Sequence, residues 1–386
     1  MSEDRRLLTV SQASALKKIA GACAIAFAAG AWLSPGRAGA GLLLANFYFV
    51  SLALAAFVFI AVHNLASAAW LTMIRRVPEA MLSYLPAGAV ATAALALGAR
   101  YFYPWAAPGA AEDLGGKAAY LNVGMYALRA AVIWAVWLFL GWKLVSLSRS
   151  QDKRGGVELT RQALVLSAIG LVALALTFTV ASVDWLMSLE PHWTSTLYPW
   201  YVFSGAFEGG LAAVAVLVVV LRRRGFFPKL NEHHLLDLGR YVFAFSCFWA
   251  YLWFCQYLLI WYSNIPDETT HYVLRSTPGW LPLFWLNPVV NFVAPFFLLL
   301  PARRKKREST LLLGAGIVLV GRALDLYVLV MPPVIGTRPG MGLAEPAAFL
   351  GLAALFVLLF DRAFAFAAPE PVRDPYLEES RHFAGI

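Results

Sequence analysis

The chain has 386 residues, of which 60% are hydrophobic and 14% are charged, and its formal net charge is +9 at pH 7. This hydrophobic share is too high for a soluble domain and predicts a protein embedded in a membrane. We attribute the basic excess to membrane topology and contact with anionic lipid, so no nucleic-acid partner is expected.

Ten apolar segments run through the chain, and most are long enough to cross a hydrocarbon layer of ~30 Å, which takes ~20 helical residues. They are expected to be α-helices, because hydrocarbon offers no other partners to the backbone polar groups. We therefore predict an all-α integral membrane protein with one membrane domain over residues 1–386. In chain order the predicted spans are 19–33, 41–63, 79–98, 119–142, 162–184, 197–221, 238–262, 279–300, 310–332 and 343–360.

Basic residues fall in alternate loops between these spans. Of the 31 Lys and Arg residues, 24 lie in the segments on one side or, like Arg240, in the first turn of the adjoining span; five lie on the other side, and Arg129 and Arg322 lie deeper within spans. The positive-inside rule places the richer side in the cytoplasm. Both termini are therefore expected in the cytoplasm, including a tail over residues 361–386.

A short internal repeat relates the second and sixth spans. The residues that recur at equal spacing are Tyr48, Ser51 and Ala53 in span 2 and Tyr201, Ser204 and Ala206 in span 6. An offset of four helices preserves orientation, so the repeat predicts two parallel four-helix bundles, 41–184 and 197–332, with spans 1 and 10 peripheral. Chance is the alternative, since small and aromatic residues are common in such helices.

Four ionisable side chains are predicted to lie deep in the hydrocarbon, where an unpartnered charge costs ~2.5–3.5 kcal/mol. Arg322 and Asp325 stand three residues apart in span 9 and can pair on one helix face. Arg129 in span 4 and Glu208 in span 6 are expected at similar depth, as partners across the two bundles. Such groups indicate either a chain of proton-exchanging groups or a polar pocket for a quinone head; the structural alternative is ion pairs that fix helix register.

Glu208 is the strongest functional candidate among these groups. Its neighbours Gly205, Gly209 and Gly210 are expected to leave room for water or for a close helix approach. Asp184, at the predicted end of span 5, is a candidate for proton exit or partner docking, although its surroundings also fit an aromatic belt. His63, at the end of span 2, is a candidate for proton entry or a merely solvated residue.

The proton-pathway candidates are thus Glu208, Asp184, Arg129, Arg322, Asp325 and His63, and no catalytic or quinone-binding residue is assigned. The three cysteines form no C-x-x-C pair, and the sequence has no haem-attachment motif, phosphate-binding loop or zinc-protease motif. We therefore expect no metal or redox cofactor held by this chain. Any redox chemistry would depend on metals in other subunits.

Two long strings resemble a known family. They read DWLMSLEPHW over 184–193, and FWAYLWF over 248–254 followed by QYLLIWYSNIPDET over 256–269. They resemble the NrfD-like, polysulfide-reductase-type membrane subunit of bacterial alternative complex III, a quinol-oxidising respiratory complex, and the similarity extends roughly over 46–362. The resemblance implies two four-helix bundles with flanking helices in a bacterial cytoplasmic (inner) membrane.

The resemblance also implies partners and a role in electron transport. The parent complex oxidises menaquinol or ubiquinol and passes electrons to a cytochrome c or directly to a terminal oxidase. Haem c and iron–sulfur clusters are expected in partner subunits, namely c-type cytochrome subunits and an iron–sulfur protein, and a sister NrfD-like subunit is the better candidate for the quinol site. A quinone is a possible ligand of this chain.

The expected function is therefore that of a membrane subunit that contributes a transmembrane proton pathway, a scaffold, or both, without redox cofactors of its own. Two alternatives stay open. One is a purely structural membrane anchor of the complex, whose buried charges serve packing. The other is a stand-alone secondary transporter, which ten helices and a parallel repeat permit.

Overall fold

The computed structural model describes residues 6–385, and these residues form helices joined by turns, with no β-strand among them. Ten helices are long and apolar enough to cross a membrane, which confirms the predicted all-α membrane architecture. In chain order they are α1 (Val10–Leu33), α2 (Pro35–Leu65), α3 (Arg76–Leu97), α4 (Val123–Arg154), α5 (Val157–Leu189), α6 (Tyr198–Arg223), α7 (Glu232–Ser263), α8 (Leu281–Leu299), α9 (Glu308–Val330) and α10 (Ala344–Phe364).

Local capping groups explain why several helices begin where they do. At the start of α1, Thr9 and Gln12 form a capping box, so this helix begins well before the predicted residue 19. At the start of α4, the side chain of Asn122 accepts a hydrogen bond of 2.9 Å from the backbone N–H of Met125. This cap places the beginning of α4 four residues later than predicted, at Val123, and the helix continues to Arg154.

The long helices pack as two four-helix rings. In the first bundle α2 packs against α3 and α5, and α4 closes the ring by packing against the same two helices. In the second bundle α6 packs against α7 and α9, and α8 closes that ring. The bundles meet mainly through α2 and α6, which the repeat makes equivalent, while α10 covers α2 and α1 lies on α10.

The repeat is visible in local hydrogen bonding. The hydroxyl of Ser51 donates to the carbonyl oxygen of Tyr48 at 2.7 Å, and the hydroxyl of Ser204 donates to that of Tyr201 at 2.7 Å. The most apolar part of α2 is completely buried, because other helices of both bundles and α10 surround it. The two bundles therefore share one continuous apolar core.

The ends of the helices define two faces of the molecule, the basic face and the opposite face. The basic face holds the connections 66–75, 155–156, 224–231 and 300–307 together with the tail 365–385; the opposite face holds the connections 98–122, 190–197, 264–280 and 331–343. The tail folds back onto the basic face, where the hydroxyl of Ser380 donates to the carbonyl oxygen of Trp70 at 2.8 Å. Residues 1–5 and 386 of the predicted cytoplasmic termini lie outside the described residues.

Candidate functional site

The second bundle contains a buried carboxylate with several donors. Asp325 on α9 forms an ion pair with Arg322, one helical turn away, as its spacing predicts. Its other carboxylate oxygen accepts hydrogen bonds from the hydroxyl of Tyr201 on α6 and, at 2.8 Å, from the amide of Asn287 on α8. Asp325 therefore links α9 to two other helices, and both charged residues of the pair are at most 1% exposed.

Glycines on α6 make room for the Arg322 side chain. A Cβ atom at Gly205 would lie 2.4 Å from the Nη1 atom of Arg322, and one at Gly209 would lie 3.2 Å from its Cγ atom. The expectation that these two glycines leave space for water is therefore wrong, because a guanidinium and its stem occupy that space. Gly210 instead faces Ala55 on α2 and allows a close helix approach, as predicted.

Glu208 lies on the same helix and is 1% exposed. The hydroxyl of Ser246 on α7 donates to its Oε1 atom at 2.7 Å. Across residues 6–385, no Lys, Arg or His lies within ion-pair distance of Glu208. The expected pairing with Arg129 is therefore wrong, and Glu208 is a buried carboxyl whose closest polar neighbour is a neutral hydroxyl.

Arg129 pairs with Asp184 in the first bundle instead. Its Nε atom lies 2.5 Å from the Asp184 Oδ2 atom, its Nη1 donates to the Tyr120 carbonyl oxygen at 3.1 Å, and its guanidinium stands 3.7 Å from the Tyr120 ring centroid. Because α4 begins at Val123, Arg129 lies near the opposite face and not at the expected mid-membrane depth. Burial and the nearby Asp184 raise the pKa of Tyr120, outside the spans, to about 12.

The prediction that α5 ends at Asp184 is wrong. Asp184 lies in a π-helical turn over 182–186, and α5 continues to Leu189. Arg129 on the neighbouring helix neutralises the charge of Asp184. Asp184 and Arg129 thus form a lateral pair at one end of the first bundle, and the structure does not bring them to Glu208.

A second charged cluster closes the second bundle at the opposite face. The Glu190 carboxylate lies 2.8 Å from Arg275 and 3.1 Å from the Nδ1 atom of His271, and the ring of Trp193 stacks on His271 at 4.1 Å. Burial alone would raise the pKa of Glu190, but Arg275 and His271 outweigh it and hold that pKa well below its usual range. Burial and Arg275 lower the pKa of His271, against the opposing effect of Glu190.

Neighbouring aromatic rings lie between this cluster and Asp325. The ring of Tyr201, whose hydroxyl bonds Asp325, has its centroid 6.4 Å from that of Tyr198. The Tyr198 centroid in turn lies 6.4 Å from that of His271. Tyrosine hydroxyls can both donate and accept, so they are suitable intermediates between ionisable groups.

A histidine of the first bundle contacts the second bundle at its basic-face end. The ring of His63 on α2 lies 5.4 Å from the Tyr241 ring on α7, and its Nδ1 atom is 2.7 Å from the Phe59 carbonyl oxygen. It borders a cavity of about 50 Å³ at the basic face, which is large enough for water. Tyr241 precedes Ser246 by about 7.5 Å along α7, at 1.5 Å per residue. His63 therefore lies at the basic-face end of the first bundle and contacts the second bundle through Tyr241.

Several buried polar atoms in the second bundle lack a hydrogen-bond partner among residues 6–385. They are the indole N–H of Trp249, both amide atoms of Gln256, the Oδ1 atom of Asn291 and the Nε atom of Arg322. Buried polar groups in native proteins are nearly always satisfied, by protein or by ordered water. Such atoms are candidate positions for ordered water, and the first bundle contains them as well, for example the Tyr126 hydroxyl and the Trp185 indole N–H.

The first bundle provides an internal comparison. Glu208 lies one helical turn after Ser204, and the residue one turn after Ser51 is Ala55. On α2 itself, Asn46 is buried and neutral: its side-chain amide donates to the hydroxyl of Thr92 and accepts from the hydroxyl of Tyr84. The repeated architecture thus carries a central carboxyl group on only one of its two equivalent helices.

Sequence reasoning missed Arg275, Tyr198, Ser246 and Asn287 as members of this arrangement. For Arg275 a usable signal existed, because it follows His271 by one helical turn in a short segment at the opposite face. The other three are ordinary polar residues of apolar helices, and only the packing of the helices brings them to the charged groups. In the part of the chain that the structure describes, no three His, Cys, Asp or Glu side chains are arranged to hold a metal ion.

No model of a known protein family matches this chain, and a comparison with curated proteins finds no match either.

Proposed function

We propose that this chain is the membrane subunit of a quinol-oxidising respiratory complex of the alternative complex III type, and that its second bundle conducts protons. The basic face lies in the cytoplasm of the bacterial cell, in keeping with the positive-inside rule. The observation that carries the proposal is Glu208, a carboxyl group buried without a counter-charge between two faces that both carry histidines. Ionisable residues in this kind of position form the proton relays of membrane pumps and transporters.

The proposed path enters at the basic face. His63 borders the cavity there, and Tyr241 packs between it and the interior. From Tyr241 the path follows α7 to Ser246, whose hydroxyl donates to Glu208. Internal water at the unpartnered polar atoms bridges the gaps that are too long for direct hydrogen bonds.

The second half of the path runs from Glu208 to the opposite face. Asp325 and the hydroxyl of Tyr201 come next, and Tyr198 leads from there to His271 and Glu190. Arg322 keeps a permanent positive charge beside Asp325, which offsets the cost of burying the carboxylate. Protons leave at Glu190, which is partly accessible at the opposite face.

In this proposal the chain's own residues carry protons and not electrons. Partner subunits supply the electron carriers: c-type cytochromes with haem c, an iron–sulfur protein, and a sister NrfD-like subunit at which the quinol is oxidised. A terminal oxidase is a further candidate partner. Exposed apolar side chains on α7, such as Tyr251, Phe254 and Trp261, offer surface to lipid or to these partners.

The decisive experiment is Glu208→Gln in the intact complex, reconstituted into vesicles, with protons translocated per electron as the readout. The expected result is a loss of proton translocation with electron transfer and complex yield retained. The matched control is Asp184→Asn, which neutralises a buried carboxyl of the first bundle and should leave the stoichiometry unchanged. An unchanged stoichiometry in Glu208→Gln would remove this residue from the path.

The same experiment separates the proposal from a structural anchor. A purely structural role predicts that Glu208→Gln lowers the yield or thermal stability of the complex and leaves turnover per complex unchanged, because the buried group then serves packing alone.

A third measurement tests whether the chain belongs to a complex with haem-bearing subunits. The tagged chain, purified from its native membrane, should carry haem absorbance from companion subunits, whereas a stand-alone transporter would be isolated without it.

A further inference from the structure

A groove of about 550 Å³ lies between α3 and α4 at the basic-face end of the first bundle, away from the polar residues of the second. Its α4 wall is a single stripe of residues at helical spacing: Leu138, Gly141, Trp142, Val145, Ser146, Arg149, Ser150 and Lys153. The stripe is apolar in its first half and polar and basic in its second half. The groove therefore has an apolar floor within the membrane and a cationic mouth at its surface.

The packing of the two helices gives the groove its shape. At Gly141 the helices touch, since a Cβ atom there would lie 3.0 Å from the Cδ1 atom of Leu85 on α3. Leu82, Ser83 and Pro86 of α3 line the wall opposite α4. The groove is apolar beside Gly141 and polar toward the basic face.

Two cations at the mouth lack protein partners. Within residues 6–385 the side chains of Arg149 and Lys153 make no ion pair or hydrogen bond, and the Arg149 guanidinium only stacks on the Phe366 ring at 4.4 Å. The acidic residue of the groove, Glu79, is already engaged by Arg75 at 3.1 Å and by Arg76 at 2.6 Å. The mouth therefore carries an uncompensated positive charge.

We infer that this groove binds one anionic phospholipid. The phosphate lies between Arg149 and Lys153 and accepts from the hydroxyls of Ser146 and Ser150, while an acyl chain lies over Leu138, Trp142 and Val145. Arg is well suited to phosphate oxygens, and basic pockets between membrane helices at the cytoplasmic side are suited to acidic headgroups. A quinone head, being neutral, would leave both cations uncompensated, which is why we favour a lipid as the occupant. The site does not depend on the proposed proton path.

The test is native mass spectrometry of the delipidated full chain with dioleoyl phosphatidylglycerol or dioleoyl phosphatidylcholine, which share acyl chains and differ in net charge. One bound phosphatidylglycerol is expected at concentrations where phosphatidylcholine does not bind. Each interfacial cation contributes about fivefold to such binding, so Arg149→Gln/Lys153→Gln should weaken it by about 30-fold. The matched control, Arg161→Gln/Arg303→Gln, removes two exposed cations of the same face and should leave binding unchanged.

Two further arms distinguish other occupants. Glycerol 3-phosphate should not displace the lipid, because it lacks the acyl chain that fills the apolar floor; displacement would show a soluble-phosphate site. A short-chain quinone should not displace it either, and displacement would assign the groove to quinone. Should the double variant fail to fold, Ser150→Glu at the half-exposed mouth should abolish the preference for phosphatidylglycerol. A preference retained in either variant would overturn the inference.

Discussion

Gly210 on α6 packs directly against Ala55 on α2, where the two bundles meet. A Cβ atom at Gly210 would lie 2.1 Å from the Cβ atom of Ala55, so only glycine allows this approach. Neither helix can accommodate an added methyl group there, because both are buried at this point. Small residues at such crossings let membrane helices approach closely and gain van der Waals contact. The interface between the bundles therefore depends on this pair.

Gly210→Ala is expected to destabilise the protein by about 1–3 kcal/mol, the usual cost of overpacking a tight core. The measurement is the thermal unfolding midpoint in detergent, followed by tryptophan fluorescence. Gly316→Ala on α9 is the control, since a Cβ atom there meets nothing within 4 Å. This control should be neutral or slightly stabilising, because alanine favours helix over glycine. Equal midpoints for both variants would contradict the tight crossing.

Asp325→Asn should cost about 3–5 kcal/mol, because it leaves the Arg322 guanidinium buried without its counter-charge. The double variant Arg322→Gln/Asp325→Asn removes both charges and should be more stable than the single one. The measurement is a double-mutant cycle: thermal midpoints are compared for the wild type, Asp325→Asn, Arg322→Gln and the double variant. Additive effects would show that the two side chains do not interact.

Tyr201→Phe tests the role of the tyrosine hydroxyl with the repeat as its control. The change removes the hydroxyl that donates to Asp325, and it should cost about 1–2 kcal/mol and slow the proposed proton transfer through the second bundle. The equivalent Tyr48 donates instead to the carbonyl oxygen of Leu319 at 3.0 Å. Tyr48→Phe should therefore lose similar stability and keep the proton stoichiometry. A loss of stoichiometry in both variants would indicate a general packing effect.

The Glu190 cluster should make the protein less stable in acid. The pKa of Glu190 is depressed, so its contribution to stability is present above about pH 4.5 and is lost as the pH falls through its folded-state pKa. The pKa of His271 is lowered too, so the unfolded chain takes up a proton below about pH 6.5 before the folded protein does. Stability should thus begin to fall below about pH 6.5.

His271→Gln isolates the histidine contribution, since glutamine does not titrate. Thermal midpoints measured from pH 7.5 to 5 should decline less steeply in this variant than in the wild type. In terms of the free energy of unfolding, the wild-type slope should exceed that of the variant by up to about 1.4 kcal/mol per pH unit. His192, which is exposed and pairs with Asp113 at 3.1 Å, provides the control substitution. Identical pH profiles for His271→Gln and the wild type would show that His271 titrates normally.

The transmembrane architecture was predictable from sequence because hydrocarbon thickness and backbone hydrogen bonding restrict each apolar segment to one long helix. The Arg322–Asp325 pair was predictable for a related reason: residues three apart on one helix are neighbours whatever the helix packs against. The predicted pairing of Arg129 with Glu208 was wrong because the prediction assumed that both residues lie at similar depth in the membrane. The Asn122 cap moved the start of α4 and brought Arg129 toward the opposite face.

Periodicity, charge asymmetry and local spacing thus predicted ten helices long and apolar enough to cross a membrane, which the structure shows within residues 6–385. They also predicted which loops share a side and which charges on one helix can neutralise each other. Only the tertiary structure decided that Glu208 faces Ser246 without a counter-charge, that Arg322 fills the space left by Gly205 and Gly209, and that Arg275 meets Glu190. The physical reason is that a helix forms from interactions within a few residues. The partner of a buried charge depends on how helices rotate and slide against each other, and that is determined by side chains far apart in the sequence.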